Sequence, residues 1–292
     1  MNITIKRLLT TAIGSLLLIG TKNFCMSRTD GFLVSNITPY KELYKAFEIP
    51  SYTSDDLLSI QDILKQPFTY LAKGTQSYAF VSKDQNYVLK FFRMHRLEPP
   101  RIGLDVSLTK YIKTRRQHKD YSQNQDFVSY AIAHEHFKEN TGILYLQLSD
   151  SKTLDSVVTL YDKINVRHRI PLQGMRFVLQ RRADLFMDLL QSLIDTKQGD
   201  LAKKYIFDLL AFLKQRSVKG FYDSDPELAT NFGVAEGKLI QIDIGRFSKD
   251  ASRQDPSIFQ RDISQITSHL YHWLQKKDPS LADYLIQQQH LL

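Results

Sequence analysis

Between residues 54 and 66 the apolar positions recur at helical spacing, and beyond Tyr70 they form short strand-like runs. The first pattern predicts one short helix, and the Ser-Asp-Asp sequence that opens it supplies cap and first-turn residues. From Tyr70 to Met94, strand-forming residues are interrupted by Gly74 and by the polar residues 83–86. This pattern predicts three short antiparallel strands joined by two turns.

A helical pattern returns after residue 125 and predicts one long helix from Asp126 to Leu148. Its apolar stripe consists of Tyr130, Ala133, Phe137, Thr141, Leu144 and Leu148. Two further strands are predicted at about 156–161 and 175–180, with Pro171 and Gly174 as turn residues between them.

The remainder of the chain is predominantly helical in its pattern. The predicted elements are a helix at 184–194, a helix at 199–218, a loop with two strands at 220–245, and a helical tail at 256–289. Strands precede helices, so the predicted fold class is α+β. We expect an extension with a short helix at 27–66, a strand-rich lobe at 67–181 and a helix-rich lobe at 182–292.

The first 26 residues have the pattern of a targeting segment. Lys6 and Arg7 precede the 13-residue apolar run Leu8–Gly20. A membrane-crossing helix needs about 20 apolar residues, so the run fits the apolar core of a signal peptide better, and an uncleaved membrane anchor is the alternative. Either predicts an exported or membrane-associated protein with residues 1–26 outside the fold, whereas translation starting at Met26 predicts a cytoplasmic one.

Composition narrows the function classes. The 292 residues are 42% hydrophobic and 24% charged, which is typical of a globular protein. Cys25 is the single cysteine, so an internal disulfide is excluded, and no cysteine or histidine cluster has zinc spacing. The formal net charge is +8. One cluster of basic residues could contact an anionic surface, or it could simply be a solvated basic face of the protein. We expect no specific nucleic-acid partner. That cluster is Lys110, Lys113, Arg115, Arg116, His118 and Lys119.

Two features of the strand-rich region could bind phosphate. Gly74, in a turn between strands, allows backbone N–H groups to approach a phosphate closely, and Ser77 adds a hydroxyl donor. Lys90 lies in a strand between large apolar residues, where its ammonium would need an anion. The alternatives are an ordinary hairpin turn and a lysine on the solvated face of the strand.

Hard oxygen ligands follow the helix predicted at 199–218. Asp223, Asp225 and Asn231 fall in one loop, and Asp243 ends an apolar strand in an Asp-Ile-Gly turn twelve residues after Asn231. Carboxylate and amide oxygens suit magnesium. Ordinary turns rich in Asp and Asn are the alternative.

In this order the motifs resemble those of the protein-kinase-like superfamily, in a divergent and compact form close to lipopolysaccharide kinases or small-molecule kinases. The resemblance covers about Tyr70 to Phe247. It implies a bilobal fold with a small antiparallel-sheet lobe and a mostly helical lobe, which binds a nucleoside triphosphate such as ATP together with magnesium.

The resemblance also implies a role for each matching residue. Gly74, Ser77 and Lys90 would bind the phosphates, and Glu135, or else Glu139, would orient Lys90. Asn231 and Asp243 would bind magnesium. Asp225 would accept the acceptor's proton, with Asp223 as the other candidate for this base.

Three function classes remain open. The first is a phosphotransferase that uses Mg-ATP, with a glycan, a small molecule or a protein as acceptor. The second is a catalytically silent nucleotide-binding or interaction scaffold, favoured by the departures from the family: Asp225 lies six residues before Asn231 instead of five, and no His-Arg-Asp motif occurs. The third is an unrelated membrane-tethered interaction protein.

Overall fold

A computed structural model describes residues 3–39, 52–94, 125–149 and 154–292 of the protein. The predicted basic cluster at 110–119 lies outside the described residues. The described part confirms the α+β fold class, with a sheet-rich lobe followed by a largely helical one.

Twelve strands occur in the described residues. They are β1 (Phe68–Lys73), β2 (Ser77–Ser82), β3 (Tyr87–Phe92), β4 (Ile143–Gln147), β5 (Val157–Tyr161), β6 (Arg167–Pro171), β7 (Phe177–Arg181), β8 (Asp184–Leu185), β9 (Phe221–Asp223), β10 (Phe232–Ala235), β11 (Lys238–Gln241) and β12 (Phe247–Lys249). The first seven form one sheet in the order β4-β7-β3-β2-β1-β5-β6. Neighbouring strands are antiparallel except β1 and β5, which are parallel.

The α-helices of the described residues are α1 (Ile3–Thr29), α2 (Ser54–Lys65), α3 (residues 125–136), α4 (Lys138–Thr141), α5 (Phe186–Asp195), α6 (Gly199–Val218), α7 (Leu228–Asn231), α8 (Pro256–Lys277) and α9 (Pro279–His290). None of them is both long enough and apolar enough to cross a membrane. Two small sheets, β11-β10-β8 and β12-β9, lie in the helical lobe.

Two hydrophobic cores follow from the alternation of side chains along the strands. Leu89 and Phe91 of β3 face the core of the sheet lobe, while Phe92 faces a second core shared with α3 and the helical lobe. Successive side chains in a strand point to opposite faces, so one strand can contribute to both cores. Strand β3 therefore lies between the two lobes.

The predicted helix from Asp126 to Leu148 is wrong in its second half. Helix α3 ends at residue 136, Phe137 has a non-helical backbone, and the single turn α4 ends at Thr141. Gly142 then adopts a left-handed conformation with φ of 62°, and Ile143–Gln147 forms β4 beside β7. Glycine adopts this conformation readily and commonly ends helices. The apolar residues Leu144 and Leu148 fitted the helical stripe by coincidence of spacing.

Other elements differ in smaller ways. Strand β6 was not predicted, because its sequence Arg-His-Arg-Ile-Pro lacks the composition of a strand and it lies at the sheet edge. The helical tail is two helices, because Asp278 has an extended backbone and caps α9, which begins at Pro279. The three strands β1–β3 and helix α6 agree with the prediction.

The segment after α1 is part of the sheet lobe. Phe32 and Ile37 are buried in its core, and the hydroxyl of Tyr78 donates a hydrogen bond of 2.9 Å to the carbonyl of Gly31. Met94 N–H donates to the carbonyl of Asn36 at 2.7 Å. The start of the predicted extension at 27–66 is therefore built into the fold.

Gly142 provides a test of this chain path. A Cβ at this position would lie 2.8 Å from Cδ1 of Ile240, whereas a Cβ at Gly174, whose φ of 74° is also left-handed, would meet nothing within 4 Å. Both Gly142→Ala and Gly174→Ala incur the left-handed penalty of about 1–2 kcal/mol. We expect Gly142→Ala to lower the free energy of unfolding further, measured by urea denaturation. Equal losses in the two variants would contradict the close approach.

Candidate functional site

The sheet lobe contributes the turn between β1 and β2 and one strand residue. The N–H of Gly74 donates to the carbonyl of Ser77 at 2.9 Å, which closes the turn. The Arg93 backbone N–H donates to the carbonyl of Gln76 at 2.8 Å, and the Arg93 guanidinium donates to the carbonyl of Thr75 at 3.1 Å. These bonds hold the turn over Lys90, which lies on the neighbouring strand β3.

The helical lobe contributes two segments that are bound to each other. Asp223 is the last residue of β9, and the loop that follows carries Asp225 and ends at Asn231 in α7. The N–H of Ile242, next to Asp243, donates to the carbonyl of Asn231 at 2.7 Å. This bond sets the Asp243 turn beside the Asn231 loop.

Helix α3 fixes the same turn from the other side. The Ser129 hydroxyl is buried, donates to the carbonyl of Ile244 and accepts a hydrogen bond of 2.6 Å from the N–H of Phe247. A single side chain thus holds the chain on both sides of Gly245. The Asp243 turn is positioned by contacts to both the loop and α3.

These walls enclose a cavity of about 100 Å³ between the lobes. Most of the residues predicted from the sequence line it, although they come from distant parts of the chain. The structure brings together Gly74, Ser77, Lys90, Asp223, Asp225, Asn231 and Asp243.

The two glutamates predicted to orient Lys90 lie elsewhere. Glu135 is largely exposed and lies 3.8 Å from His136, while Glu139 is largely exposed and lies 3.7 Å from Lys238. The ammonium of Lys90 instead donates a hydrogen bond of 2.6 Å to the carbonyl of Ile242. The structure therefore brings neither glutamate to Lys90.

Lys90 has an unfavourable environment for its charge. Burial lowers the pKa of Lys90, and the nearby Asp243 carboxylate opposes this shift. Desolvation disfavours the charged form of a lysine, so an anion that enters the cavity would stabilise it. The site is therefore suited to a ligand with negative charge.

The two candidate bases have different environments. Asp223 is buried, and burial raises its pKa although Arg216, 3.6 Å away, and hydrogen bonds from Asp225 N–H and Gln241 act in the opposite direction. Asp225 is exposed and lines the cavity. Its backbone carbonyl accepts a hydrogen bond of 2.6 Å from the Asn231 amide. The carboxylate of Asp225 is thus the more accessible of the two to a ligand.

A buried polar network behind the loop was not predicted from the sequence. Gln241 donates to the Asp223 carboxylate and, at 3.0 Å, to the carbonyl of Asp243, and it accepts a hydrogen bond of 3.0 Å from Arg216. Gln241 therefore connects α6 and the Asp223 loop with the Asp243 turn. The sequence signal for this network is Gln241 at the end of the apolar strand β11. A buried glutamine at that position needs hydrogen-bond partners, because buried polar groups are normally hydrogen-bonded.

Several further residues that line the cavity are not predicted from the sequence. Tyr130 was assigned to a helical core stripe, but it also lines the cavity, and burial raises its pKa well above the usual value. Gln76 and Arg246 line the cavity as well. The Gln76 amide lies against Gly245, so closely that a Cβ at that position would overlap it. The turn of the sheet lobe therefore contacts the Asp243 turn of the helical lobe.

The available oxygen ligands fit magnesium. Asp243 is exposed in the cavity, and the side-chain oxygen of Asn231 accepts a hydrogen bond of 2.8 Å from Thr230. Magnesium is usually bound by one or two carboxylates together with water and substrate phosphates. One carboxylate and one amide in the same cavity as Lys90 match that chemistry.

No protein-family model matches the sequence, and no curated protein matches it. Among solved structures, WbdD is 16% identical, with a TM-score of 0.37 over 78% of this chain and 46% of that one; it is described as a bifunctional kinase-methyltransferase. WbdD with the kinase inhibitor LY294002 is 14% identical, with a TM-score of 0.36 over 76% and 46% of the two chains. A complex of Rv3197 with erythromycin from Mycobacterium tuberculosis is 14% identical, with a TM-score of 0.32 over 78% and 60%.

The chain spans less than half of the length of the WbdD chains. The architecture of the chain agrees with the bilobal arrangement expected from the order of its motifs: a sheet lobe that carries the glycine turn and the strand lysine, a helical lobe that carries the Asp and Asn loops, and a cavity between them.

The buried network can be tested by removing one partner. Arg216→Leu leaves the Asp223 carboxylate buried without its cation, and breaking a buried ion pair in this way costs about 3–5 kcal/mol. We expect a loss of this size in the free energy of unfolding, measured by urea denaturation. Because the groups are coupled, adding Asp223→Asn to Arg216→Leu should cost less than the sum of the single changes. Simple additivity would show that the pair is not coupled.

Proposed function

We propose that the protein is a divergent kinase-like phosphotransferase that uses Mg-ATP to phosphorylate a hydroxyl group. The observation that carries this proposal is the cavity in which Lys90 of the sheet lobe lies close to Asp243 and Asn231 of the helical lobe. A cation and hard oxygen ligands on opposite walls are what a magnesium-bound triphosphate requires.

The geometry supports a binding role for each of these residues. Lys90 would exchange its bond to the Ile242 carbonyl for phosphate oxygens, which supply the negative charge its buried position favours. Gly74 and Ser77 line the same cavity, and the backbone of Gly74 and the hydroxyl of Ser77 would position the phosphates. Asn231 and Asp243 would hold magnesium, whose charge neutralises the phosphate oxygens.

In the proposed reaction, Asp225 acts as general base. Its carboxylate would take the proton of the acceptor hydroxyl as the acceptor oxygen bonds to the γ-phosphorus and the bond from that phosphorus to ADP breaks. Asp223 would position the loop, because its carboxylate is already engaged by Gln241 and by the N–H of Asp225. Positioning and charge neutralisation would supply most of the rate enhancement. A glycan, a small molecule and a protein all remain candidate acceptors.

The cavity must enlarge before a nucleotide can enter. Sites for small ligands and cofactors usually enclose about 300–1,000 Å³, whereas this cavity encloses about 100 Å³. Gln76 lies across it against Gly245. We infer that the turn at 74–77 moves away from Gly245 when nucleotide binds, as lids do in other phosphotransferases.

A silent nucleotide-binding or interaction scaffold is the second candidate. It is favoured by the position of Glu135 and Glu139 at the surface, away from Lys90, and by the additional residue between Asp225 and Asn231. Such a scaffold would keep the cavity and lose the transfer step. The two candidates therefore differ in phosphoryl transfer, not in nucleotide binding.

The nucleotide site is tested by Lys90→Ala and Asp243→Ala. Each should abolish the thermal stabilisation of the protein by Mg-ATP, because one removes the phosphate counter-charge and the other a magnesium ligand. A ligand at 100 times its dissociation constant stabilises by about 2.7 kcal/mol, which a thermal-shift measurement detects. Lys83→Ala and Asp283→Ala, at exposed positions away from the cavity, are matched controls and should keep the shift. No shift in the unmutated protein at saturating Mg-ATP would exclude the site.

The charge of Lys90 should also affect the stability of the protein without ligand. Burial lowers the pKa of Lys90 in the folded protein below 10.5, the value expected in the unfolded chain. The charged ammonium therefore destabilises the fold at pH values below the lowered pKa. This destabilisation disappears as the pH rises toward 10.5. Lys90→Met should therefore be at least as stable as the parent at pH 7, with its advantage shrinking at alkaline pH. A lower melting temperature for Lys90→Met at pH 7 would contradict this electrostatic assignment.

The base is tested by comparing Asp225→Asn with Asp223→Asn. Asp225→Asn should keep nucleotide affinity and reduce ADP formation about 10²- to 10⁴-fold, because loss of a general base acts on the transition state. Asp223→Asn should reduce the rate less. The reverse ranking would transfer the role to Asp223, and nucleotide binding without ADP formation in the unmutated protein would support the scaffold.

A further inference from the structure

Helix α1 is apolar on every side of its central part. Leu16, Leu17, Leu18 and Ile19 are consecutive, so they point in all directions around a helix with 3.6 residues per turn, and each is more than half exposed. A Cβ at Gly14 or Gly20 would meet nothing within 4 Å. Between Gly14 and Gly20, therefore, no other described residue covers the helix. A helix that is hydrophobic all round is normally buried in a protein or in a membrane.

The charged residues of α1 are all basic, and they favour an anionic environment. Lys6 and Arg7 precede the band, Lys22 and Arg28 follow it, and the helix contains no Asp or Glu. Lys22 and Arg28 are exposed or partly exposed, and the Arg28 guanidinium lies over the Phe24 ring at 5.4 Å. Basic residues near a membrane surface are attracted to anionic lipid headgroups. A second protein with an apolar groove would not require this acid-free pattern.

The helix is firmly attached to the sheet lobe. It continues without a break through Met26 to Thr29, and the Met26 side chain lies against Gly31. The Asp30 carboxylate accepts hydrogen bonds from Tyr70 at 2.7 Å and from Lys163 at 2.9 Å. Phe32, two residues further, packs edge-on against Tyr78 and Phe80 in the core. Cleavage at residue 26 would remove part of this junction.

We propose that α1 is a retained membrane anchor whose apolar band lies in the hydrocarbon of an anionic lipid bilayer, with the flanking basic residues at the headgroups. The whole apolar run Leu8–Gly20 has 13 residues and is about 20 Å long at 1.5 Å per residue. It is shorter than the hydrocarbon core of a bilayer, which is about 30 Å thick. The anchor therefore lies along one face of the bilayer instead of crossing it, with both basic ends at the same layer of headgroups, and its junction with the sheet lobe holds the cavity at the membrane surface. This proposal is independent of the chemistry performed in the cavity.

The test is flotation of the full-length protein with lipid vesicles, starting from a mild detergent solution. Phosphatidylcholine vesicles are compared with vesicles in which about one third of the lipid is phosphatidylglycerol. The parent should float with the anionic vesicles, and Leu17→Asp/Leu18→Asp should reduce the floated fraction at least tenfold. Leu58→Asp/Phe207→Asp makes the same type of change at exposed apolar positions elsewhere and should float like the parent. Lys22→Glu/Arg28→Glu should lose the preference for anionic vesicles.

Unchanged melting temperatures of the variants would show that the fold is intact. Three results would overturn the proposal. The first is that the parent does not float with either kind of vesicle. The second is that Leu17→Asp/Leu18→Asp floats like the parent but abolishes self-association of the protein, which would make a second copy of the chain the partner of the apolar band. The third is a mature protein in the native cell that begins after residue 26, which would identify a cleaved signal peptide.

Discussion

The Lys90 ammonium lies between the two lobes, where it donates a hydrogen bond to the carbonyl of Ile242. Its position is set by β3, the strand whose side chains contribute to both hydrophobic cores. The cavity partly desolvates the charge, and the neighbouring Asp243 carboxylate compensates in part. A lysine in this environment is stabilised by a ligand that brings further negative charge. The remaining features of the site can be understood as the means of holding such a ligand opposite Lys90.

The helical lobe meets this requirement with a rigid support and accessible ligands. Arg216, Gln241 and Asp223 form a buried network behind the loop, and the same glutamine reaches the backbone of Asp243. Hydrogen bonds between buried groups are stronger than the same bonds in water. The network therefore fixes the backbone from which Asp225 and Asp243 project into the cavity. The opposite wall is the turn containing Gln76, whose contact with Gly245 must open for a nucleotide to enter.

The sequence was informative where a pattern is local. The strands β1–β3 and helix α6 follow from the spacing of apolar residues, and Lys90, Asn231 and Asp243 were selected by the order of their motifs. The helix predicted to Leu148 failed because the apolar residues after Gly142 fit a helical stripe as well as a strand, and pairing with β7 decides between them. Periodicity in a short apolar segment does not resolve this choice.

Residues whose roles depend on long-range contacts could not be predicted. The contact of Gln76 with Gly245 joins positions 169 residues apart, and the hydrogen bond of Lys90 joins positions 152 residues apart. Only the order of the motifs supports Glu135 and Glu139 as partners of Lys90. Their positions in the sequence do not indicate on which side of the fold the lysine lies. Arg216 is unremarkable within α6, and its importance appears when Asp223 and Gln241 are seen beside it.

Calorimetric titration of the unmutated protein with a non-hydrolysable ATP analogue, with and without magnesium, tests the central claim most directly. The arrangement of Lys90 opposite Asn231 and Asp243 predicts saturable binding of one nucleotide per chain that weakens strongly when magnesium is removed. Absence of binding, or binding of equal strength without magnesium, would contradict the assignment of the cavity as a magnesium-nucleotide site.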